Sequence, residues 1–353
     1  MQTLQAFRKI FDPHLAAVLK KRTQATGKFT SDQDVKNLVE YASALTLSGG
    51  KRVRPYLAWT MYQAFDGKKS NAVLDTLAAL ELFHIFGLLH DDIIDRGTTR
   101  HGIPTTQYAV ATRLTKQKRR GDLPHIAEGQ AILLGDLIFA WVTQLLHAPQ
   151  FNTTITQRVS SHFYRMVDEV VIGQMLDVDL MTRVSASSQL VNEKMRLKTA
   201  SYTFVRPMQI GAALAGASSS TDRFCEEFGI ALGLAFQIQD DLFDLILPAK
   251  QLGKAAFSDL SNRQHTVFTQ YIFDHGTSTQ KKQLAHLFGA TLSEKDRSKI
   301  KTLFTDSHAL AHGEQLMNKQ FDIATSAGQR AKLPKNAKQE LLDLVMYIRH
   351  RTL

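Results

Sequence analysis

The chain contains a single cysteine and only eight prolines among its 353 residues. One cysteine permits no internal disulfide, which excludes a small scaffold held together by disulfides. The shortage of proline leaves long stretches free to form helix, and strand-like alternation of apolar and polar residues is also scarce. We therefore predict an all-α protein. Cys225 falls within an apparent helix, where we expect it to pack rather than react.

Long uncharged apolar runs are missing as well. No stretch reaches the roughly 18 to 20 uncharged residues that a membrane-spanning helix needs, and the first nine residues form no apolar signal segment. No segment is rich enough in proline, glycine or serine to act as a linker. We therefore expect a cytoplasmic protein without a transmembrane segment, folded as a single domain over residues 1–353.

The formal net charge of +10 is typical of proteins that bind nucleic acids. The basic residues are nevertheless dispersed, apart from one dense run within residues 110–125 that no aromatic residues or recognition motif accompany. We interpret residues 110–125 as a basic surface insertion and expect no nucleic acid partner. A basic surface could instead attract diphosphates or anionic lipid headgroups.

Two aspartate clusters of the form Asp-Asp-x-x-Asp are the most informative feature of the sequence. Their members are, in chain order, Asp91, Asp92, Asp95, Asp240, Asp241 and Asp244. Each cluster follows an apolar run that predicts a buried helix. Because unpaired buried charge is costly, we expect cations at both clusters. Two such helices facing each other would form a cage of oxygen ligands suited to Mg²⁺, and the matching anion would be a diphosphate.

Helical spacing supports a functional role for these aspartates. At 3.6 residues per turn, Asp91 and Asp95 share a face, and His84 lies on that face two turns earlier. In the second cluster the aspartates and Gln237 recur at a spacing that normally marks an apolar core stripe. The alternative, a helix end with solvated aspartates, stays open for either cluster taken alone.

A series of motifs, in this order and spacing, resembles those of the trans-isoprenyl diphosphate synthases, or polyprenyl synthetases. The resemblance extends from about Gly49 to Thr266. Besides the two aspartate clusters, the matching segments are Gly49-Gly50-Lys51-Arg52-Val53-Arg54-Pro55, His84, Arg100 with Gly102, Pro104 and Thr105, Gly135-Asp136, Gly173-Gln174 with Asp177, Lys198-Thr199, Phe236-Gln237 and Leu252-Gly253-Lys254.

The resemblance implies an isoprenoid synthase-type helical bundle around a deep central cavity, in a homodimer. It implies that the protein is a prenyltransferase joining isopentenyl diphosphate head to tail to an allylic diphosphate (dimethylallyl, geranyl or farnesyl). Ionisation of the allylic substrate would be assisted by Mg²⁺, with about three ions per site, each held by a few carboxylates.

The resemblance also assigns roles to residues. Direct metal ligands would be Asp91, Asp95 and Asp240, while Asp92, Asp241 and Asp244 would be ligands or would act through water. The allylic diphosphate would be bound by Arg100, Lys198 and Lys254. Isopentenyl diphosphate would be bound by Lys51, Arg54 and His84, together with His101. The polar groups of Lys198-Thr199 and Gln237 would face the allylic cation.

Some positions depart from the family pattern. His101 stands where the family has the second arginine of a pair, so the affinity for isopentenyl diphosphate could fall or become pH-dependent. Gln264 stands where the family has a lysine, which Arg263 could replace. Within the first motif we interpret Arg52 as a surface cation. Asp177 is open to interpretation as a packing residue or as a partner of the residues that bind substrate.

Product length is expected to depend on the residues just before the first aspartate cluster. Phe86 is bulky and lies five positions before Asp91, whereas Gly87 leaves room one turn below Asp91. The resemblance implies that an aromatic residue at this position limits growth of the prenyl chain. Geranylgeranyl diphosphate is therefore the favoured product, with farnesyl diphosphate as the close alternative. Phe83 and Leu88 are competing candidates for the floor of the cavity.

Three other functions are alternatives to a prenyl diphosphate synthase. A terpene cyclase typically has one such aspartate cluster and no use for a pocket built from Lys51, Arg54 and His84. A non-catalytic subunit of a synthase usually loses the aspartates, all six of which are present here. A basic nucleic-acid-binding protein would explain the charge but not the carboxylates.

Overall fold

The computed structural model describes residues 2–100, 102–147, 151–252 and 257–351. Over these residues the chain is almost entirely helical, which confirms the predicted all-α class. The α-helices are α1 Gln2–Gly27, α2 Gln33–Leu47, α3 Val53–Ala64, α4 Asn71–Ile94, α5 Thr106–Lys116, α6 Leu123–Leu146, α7 Thr153–Leu180, α8 Ser188–Met195, α9 Arg206–Leu214, α10 Ser220–Ile246, α11 Ala249–Leu252, α12 Ser258–Ser261, α13 Val267–His275, α14 Ser278–Leu287, α15 Arg297–Asp306, α16 Ala309–Arg330 and α17 Lys335–Arg349.

Four shorter or unusual elements accompany these helices in the described residues. Strands β1 (Thr99–Arg100) and β2 (Ile103–Pro104) pair antiparallel as a small hairpin. A π-helix, Arg196–Val205, joins α8 to α9, and a 3-10 turn covers Glu294–Asp296. The π-helix interrupts an otherwise α-helical run from Ser188 to Leu214. Apolar periodicity marks a helix but does not reveal where the hydrogen bonding changes to the π pattern.

The chain divides into two compact units. Unit 1 comprises Met1–Trp59 and Asp66–Gln157, and unit 2 comprises Thr60–Phe65 and Arg158–Leu353. The first aspartate cluster lies in unit 1 and the second in unit 2. That the whole chain is a single domain stays a prediction.

Helix α4 is the central element of unit 1. Ser70 caps its start by accepting a hydrogen bond from the Val73 amide at 3.3 Å, and nearly every residue from Ala72 to Ile85 is buried. An apolar surface on almost all faces is what a helix enclosed by others requires. The same helix carries the first aspartate cluster at its C-terminal end.

Helices α4 and α6 are long and apolar enough, by length and composition, to cross a membrane. The most apolar window of α4 is 72% buried inside the protein, and that of α6 is 44% buried. Charged residues interrupt both helices, Asp75 and Glu81 in α4 and Glu128 and Asp136 in α6. A buried core helix can have the same length and apolar composition. The presence of these two helices is therefore only weak evidence for membrane insertion.

Helix α10 positions the second aspartate cluster in unit 2. Its buried side chains include Phe228, Leu232, Ile238 and Leu242. Leu242 and Ile238 belong to a core cluster that also contains Phe268, from α13. The aspartates therefore project from a helix whose other faces are fixed by apolar packing.

The basic insertion predicted for residues 110–125 is a surface feature only in part. Val110 and Leu114 are buried and pack with Ala127 of α6, so this end of the insertion belongs to the core. Residues 115–122 are all exposed. The prediction started too early because the basic residues of α5 share a helix with its apolar face.

Candidate active site

An ion cluster around the buried Arg52 fixes the turn between Lys51 and the start of α3, which carries Arg54. The Arg52 side chain is only 2% exposed. It donates to Glu81 Oε1 at 2.6 Å and to Asp12 Oδ1 at 3.2 Å. The interpretation of Arg52 as a surface cation is therefore wrong. Because Arg52 turns inward, the preceding Lys51 is exposed, and Arg54 is half-buried at the start of α3.

The first aspartate cluster is bound to Arg100. Arg100 Nη2 lies 2.6 Å from Asp92 Oδ1 and 3.7 Å from Asp91 Oδ2. Asp92 is 5% exposed, whereas Asp91 and Asp95 are half-buried. Burial by itself would lower the pKa of Arg100, but its hydrogen bond to Asp92 and the nearby carboxylate charges raise that pKa above its usual value. Arg100 is thus a permanent cation held by a buried carboxylate.

Backbone contacts hold the Arg100 hairpin against the end of α4. Arg100 pairs with Ile103 across the hairpin. The side-chain amide of Gln107 donates to the carbonyl oxygens of Asp92 and Gly97, at 2.9 Å each. Gln107 thereby ties the helix end to the loop that follows it. No motif in the sequence marks Gln107 for this role.

Phe86 belongs to an aromatic cluster in unit 1. Its ring centroid lies 5.5 Å from that of Phe83, 5.1 Å from Phe139 and 4.7 Å from His90. Phe83 is 1% exposed, whereas Phe86 is half-buried. A Cβ at Gly135 would lie 2.3 Å from the His90 ring, so the cluster requires glycine there. Phe83 therefore packs behind Phe86 rather than competing with it for an exposed surface.

Two of the second-cluster aspartates, Asp240 and Asp241, have well-defined partners in unit 2. Gln237 Nε2 donates to Asp241 Oδ1 at 2.7 Å, and Gln237 Oε1 accepts from the Thr199 hydroxyl at 2.6 Å. The Gln237 amide therefore links Thr199 to Asp241. Asp240, whose side chain is 39% exposed, is bound by Arg351. No motif marks Arg351, which is why the sequence did not identify it.

Asp244 is the most enclosed member of the second cluster. It is 0% exposed and accepts hydrogen bonds from Ser258 Oγ at 2.8 Å and from the Asp259 amide at 3.1 Å. These two donors lie in the short helix α12. Asp244 thus ties α12 to the end of α10.

Asp177 is shared by two lysines. Lys198 Nζ lies 2.7 Å from Asp177 Oδ2, and Lys194 Nζ lies 3.0 Å from Asp177 Oδ1. Burial alone would raise the pKa of Asp177, but the two ammonium charges hold it below its usual value. Lys194 also donates to the His265 carbonyl at 2.8 Å and to Gln264 Oε1 at 3.3 Å. The sequence missed Lys194, although it lies one helical turn before Lys198.

Arg263 does not take the place of the lysine missing at Gln264. Its guanidinium donates to the carbonyl oxygens of Met181 at 2.7 Å and Arg183 at 3.0 Å, and it lies over the Phe288 ring. These contacts commit Arg263 to holding loops together. The cation that reaches Gln264 is Lys194 instead.

For the remaining predicted site residues, the structure gives the burial of some and does not describe others. His84 and Gly87 are both half-buried on α4, and Gln174 is half-buried on α7. His101 and Lys254 lie outside the described residues, so their predicted contacts with substrate stay predictions.

The donor chemistry of the two clusters fits Mg²⁺. Among the described residues, no three His, Cys, Asp or Glu side chains are gathered into a ready-made metal site. Magnesium in phosphate-handling enzymes commonly takes only one or two protein carboxylates and fills its shell with water and phosphate oxygens. The side chains of Asp91 and Asp240, 25% and 39% exposed, can each offer such an oxygen.

Comparison with known proteins agrees with the motifs. The polyprenyl synthetase family model matches residues 35–306. A geranylgeranyl diphosphate synthase of Sulfolobus acidocaldarius is 28% identical over 321 residues, covering 89% of this chain and 91% of the relative. A geranylfarnesyl diphosphate synthase of Aeropyrum pernix is 28% identical over 309 residues, with 86% and 90% covered.

A solved structure extends the similarity to the whole fold. The geranylgeranyl pyrophosphate synthase of Corynebacterium glutamicum, complexed with isoprenyl diphosphate and magnesium, superposes with a TM-score of 0.90 at 27% identity. The match covers 97% of this chain and 98% of that one. This chain belongs to the polyprenyl synthetase family and is a prenyltransferase of the trans-isoprenyl diphosphate synthase type. The resemblance inferred from the sequence is thereby confirmed.

Proposed function

We propose that this enzyme couples isopentenyl diphosphate head to tail to an allylic diphosphate and that its main product is geranylgeranyl diphosphate. One observation carries the proposal. In addition to the two Asp-Asp-x-x-Asp clusters, the protein has two cations that are each held by a buried carboxylate. These pairs are Arg100 with Asp92 and Lys198 with Asp177. Relatives named geranylgeranyl diphosphate synthases support the choice of product.

Arg100 and Lys198 are assigned to the diphosphate of the allylic substrate, together with Lys254. Breaking the allylic carbon–oxygen bond moves negative charge onto this diphosphate. Cations already held in place stabilise that charge without reorganising during the reaction. Asp92 and Asp177 provide the fixed placement, and Arg100 can present two N–H groups to phosphate oxygens while Lys198 offers a point charge.

The aspartates of the two clusters are assigned to Mg²⁺, five of them directly or through water and Asp92 through its ion pair with Arg100. When bound, Mg²⁺ neutralises charge on the leaving diphosphate, and the structure of the Corynebacterium glutamicum relative with magnesium supports its use. Asp91, Asp95 and Asp240 would supply oxygens directly. Asp241 and Asp244, each already accepting a hydrogen bond, would act directly or through water, while Asp92 would act through Arg100. About three ions per site are proposed, since each needs few carboxylates.

The remaining steps are assigned to polar groups rather than to a dedicated base. Thr199 and Gln237, linked by a hydrogen bond of 2.6 Å, would direct their oxygens at the allylic cation. The double bond of isopentenyl diphosphate attacks that cation, and the released diphosphate accepts the proton that is lost. Isopentenyl diphosphate would be bound by Lys51, Arg54 and His84, with His101.

Phe86 is proposed to limit product length. Its ring is supported by Phe83, Phe139 and His90, and a wall made of packed aromatic rings resists displacement by a growing chain. Gly87, one turn below Asp91, is assigned the open position next to this wall. The second candidate is a farnesyl or a longer polyprenyl diphosphate, and the named activity of the Aeropyrum pernix relative favours a longer one.

Assembly as a homodimer is part of the proposal. Helix α7 exposes Ile172 (53%), Met175 (61%) and Val178 (39%) at helical spacing, and an exposed apolar stripe is typical of an interface between copies. Met175→Lys would then shift the mass measured by light scattering from dimer to monomer, whereas an unchanged mass would exclude this stripe. A cytoplasmic location and a single domain complete the proposal.

Product analysis tests the proposed function. Purified protein is incubated with Mg²⁺, isopentenyl diphosphate and, separately, dimethylallyl, geranyl or farnesyl diphosphate, and the dephosphorylated products are identified by mass spectrometry. Geranylgeraniol as the main product from every primer supports the proposal. Cyclic hydrocarbons without elongation would instead indicate a terpene cyclase, and complete inactivity a non-catalytic subunit.

A further inference from the structure

Lys198 and Thr199 lie on an unusual stretch of backbone. They belong to the π-helix Arg196–Val205, ten residues long, whereas π-helices are mostly single-turn bulges and often occur at functional sites. The Arg206 amide donates to the Ser201 carbonyl, five residues back, as the π pattern requires. Such a segment needs support from its neighbours to persist.

Glycines on two neighbouring helices let the backbone approach the π-helix closely. A Cβ at Gly173 of α7 would lie 2.7 Å from the Lys198 amide nitrogen. A Cβ at Gly233 of α10 would lie 2.3 Å from the Ala200 Cα. Both distances are too short for a Cβ contact in a protein, so only glycine fits at these two positions. Helices α7 and α10 therefore confine the π-helix on two sides.

One carboxylate connects the middle of the π-helix to its end. Glu169 of α7 accepts a hydrogen bond from the Ser201 hydroxyl. It also accepts from Arg206 Nε at 2.8 Å and Nη2 at 2.6 Å. Ser201 and Arg206 are 1% and 3% exposed, and Glu169 is half-buried, so these contacts are largely shielded from water and costly to break.

We propose that Glu169, through Ser201 and Arg206, is a positioning residue that holds the π register and thereby aims Lys198 and Thr199. If the segment adopted the α-helical hydrogen-bond pattern instead, its register would shift. Each one-residue shift would rotate the affected side chains by about 100° around the helix axis. Lys198 would then lose its placement on Asp177. The inference rests on the proposed function of Lys198 in binding the allylic diphosphate.

The test uses Ser201→Ala, which removes one hydroxyl and leaves the Glu169–Arg206 ion pair intact. Glu169→Gln is the second, stronger variant, and its folding is checked by thermal unfolding. Ser307→Ala is the matched control because the Ser307 hydroxyl is also buried and donates to a carbonyl, that of Phe304 at 3.3 Å. Lys198→Ala is made alone and combined with Ser201→Ala.

Two measurements are made on each variant. Hydrogen exchange followed by mass spectrometry reports on residues 196–205, and steady-state kinetics give kcat and KM separately for farnesyl diphosphate and isopentenyl diphosphate. Ser201→Ala is expected to speed exchange in residues 196–205. It should reduce kcat/KM for the allylic substrate roughly tenfold, as misplacement of a binding group does, and leave KM for isopentenyl diphosphate unchanged.

The double variant separates positioning from general destabilisation. Ser201→Ala/Lys198→Ala should be no worse than Lys198→Ala, because residues acting as one unit are not additive. Additive losses, or a Ser201→Ala variant indistinguishable from Ser307→Ala, would overturn the positioning role alone. If Lys198→Ala leaves allylic kinetics unchanged, the assignment of Lys198 fails and the positioning role fails with it.

Discussion

Arg351, near the end of the chain, binds Asp240, the first aspartate of the second cluster. Its guanidinium lies 4.0 Å from the centroid of the Phe236 ring and donates to Gln239 Oε1 at 2.6 Å. The arginine therefore presents a fixed positive charge to a carboxylate that we assign to Mg²⁺. A cation and a metal ion that share one carboxylate compete for it.

Replacing Arg351 is expected to strengthen Mg²⁺ binding. Arg351→Gln removes the competing charge, and since Asp240 is 39% exposed, the gain should be no more than about 1 kcal/mol, or roughly fivefold in Kd. Calorimetric titration of Mg²⁺ in the presence of inorganic diphosphate measures it. Arg349→Gln, which breaks an exposed contact with Asp322, is the control. Unchanged or weaker Mg²⁺ binding by Arg351→Gln would contradict this competition.

Loss of Arg100 is expected to damage stability as well as catalysis. Arg100→Ala leaves Asp92 buried without its 2.6 Å partner, which should cost about 3 kcal/mol of unfolding free energy. Arg100→Ala/Asp92→Ala removes both charges and should recover much of that stability without recovering activity. Urea unfolding and product formation are measured on the same preparations. Recovery of activity in the double variant would remove Arg100 from the substrate site.

The lowered pKa of Asp177 predicts a pH-dependent contribution to stability. Because the folded-state pKa lies below the unfolded one, the contribution is complete above the unfolded value of about 3.9 and is lost as pH falls through the folded value. The difference in unfolding free energy between the wild type and Asp177→Asn should therefore be constant from pH 5 to pH 7, approximately, and shrink below about pH 4. Equilibrium denaturation at each pH measures it, and a difference that grows on acidification would refute the assignment.

Shortening Phe86 is expected to lengthen the product. Phe86→Ala removes a half-buried ring from the aromatic cluster and opens space beside Gly87. Mass spectrometry of the prenols should show chains at least one five-carbon unit longer than those of the wild type. Phe163→Leu, a change in a fully buried ring of α7, controls for general loosening. Unchanged chain length in Phe86→Ala would exclude Phe86 as the floor.

Motifs and helical periodicity predicted the helical class, most helix positions and the family. The apolar run before the first aspartates predicted a buried helix, and the structure has it as α4, Asn71–Ile94, because apolar content is a local signal. The prediction for Arg52 is wrong because burial of an arginine depends on distant partners, here Asp12 and Glu81. No local pattern reports such partners.

The residues that contact the proposed site residues could not be predicted from the sequence either. Lys194 reaches Asp177 and Gln264 only once α7 and α8 are folded, and Arg351 reaches Asp240 from the far end of the chain. The π-helix depends on Glu169 and on close backbone contacts from other helices. Sequence patterns therefore identified the chemical groups, while tertiary contacts determine how each is held.

The most direct test of the account is the rate of coupling by Asp91→Asn and Asp240→Asn across a range of Mg²⁺ concentrations, with Asp343→Asn of α17 as the control. If both aspartate clusters carry Mg²⁺-assisted ionisation, each variant should lose at least about 10²-fold in kcat and require more Mg²⁺, while Asp343→Asn behaves as the wild type. Wild-type rates and Mg²⁺ dependence in either cluster variant would contradict the account.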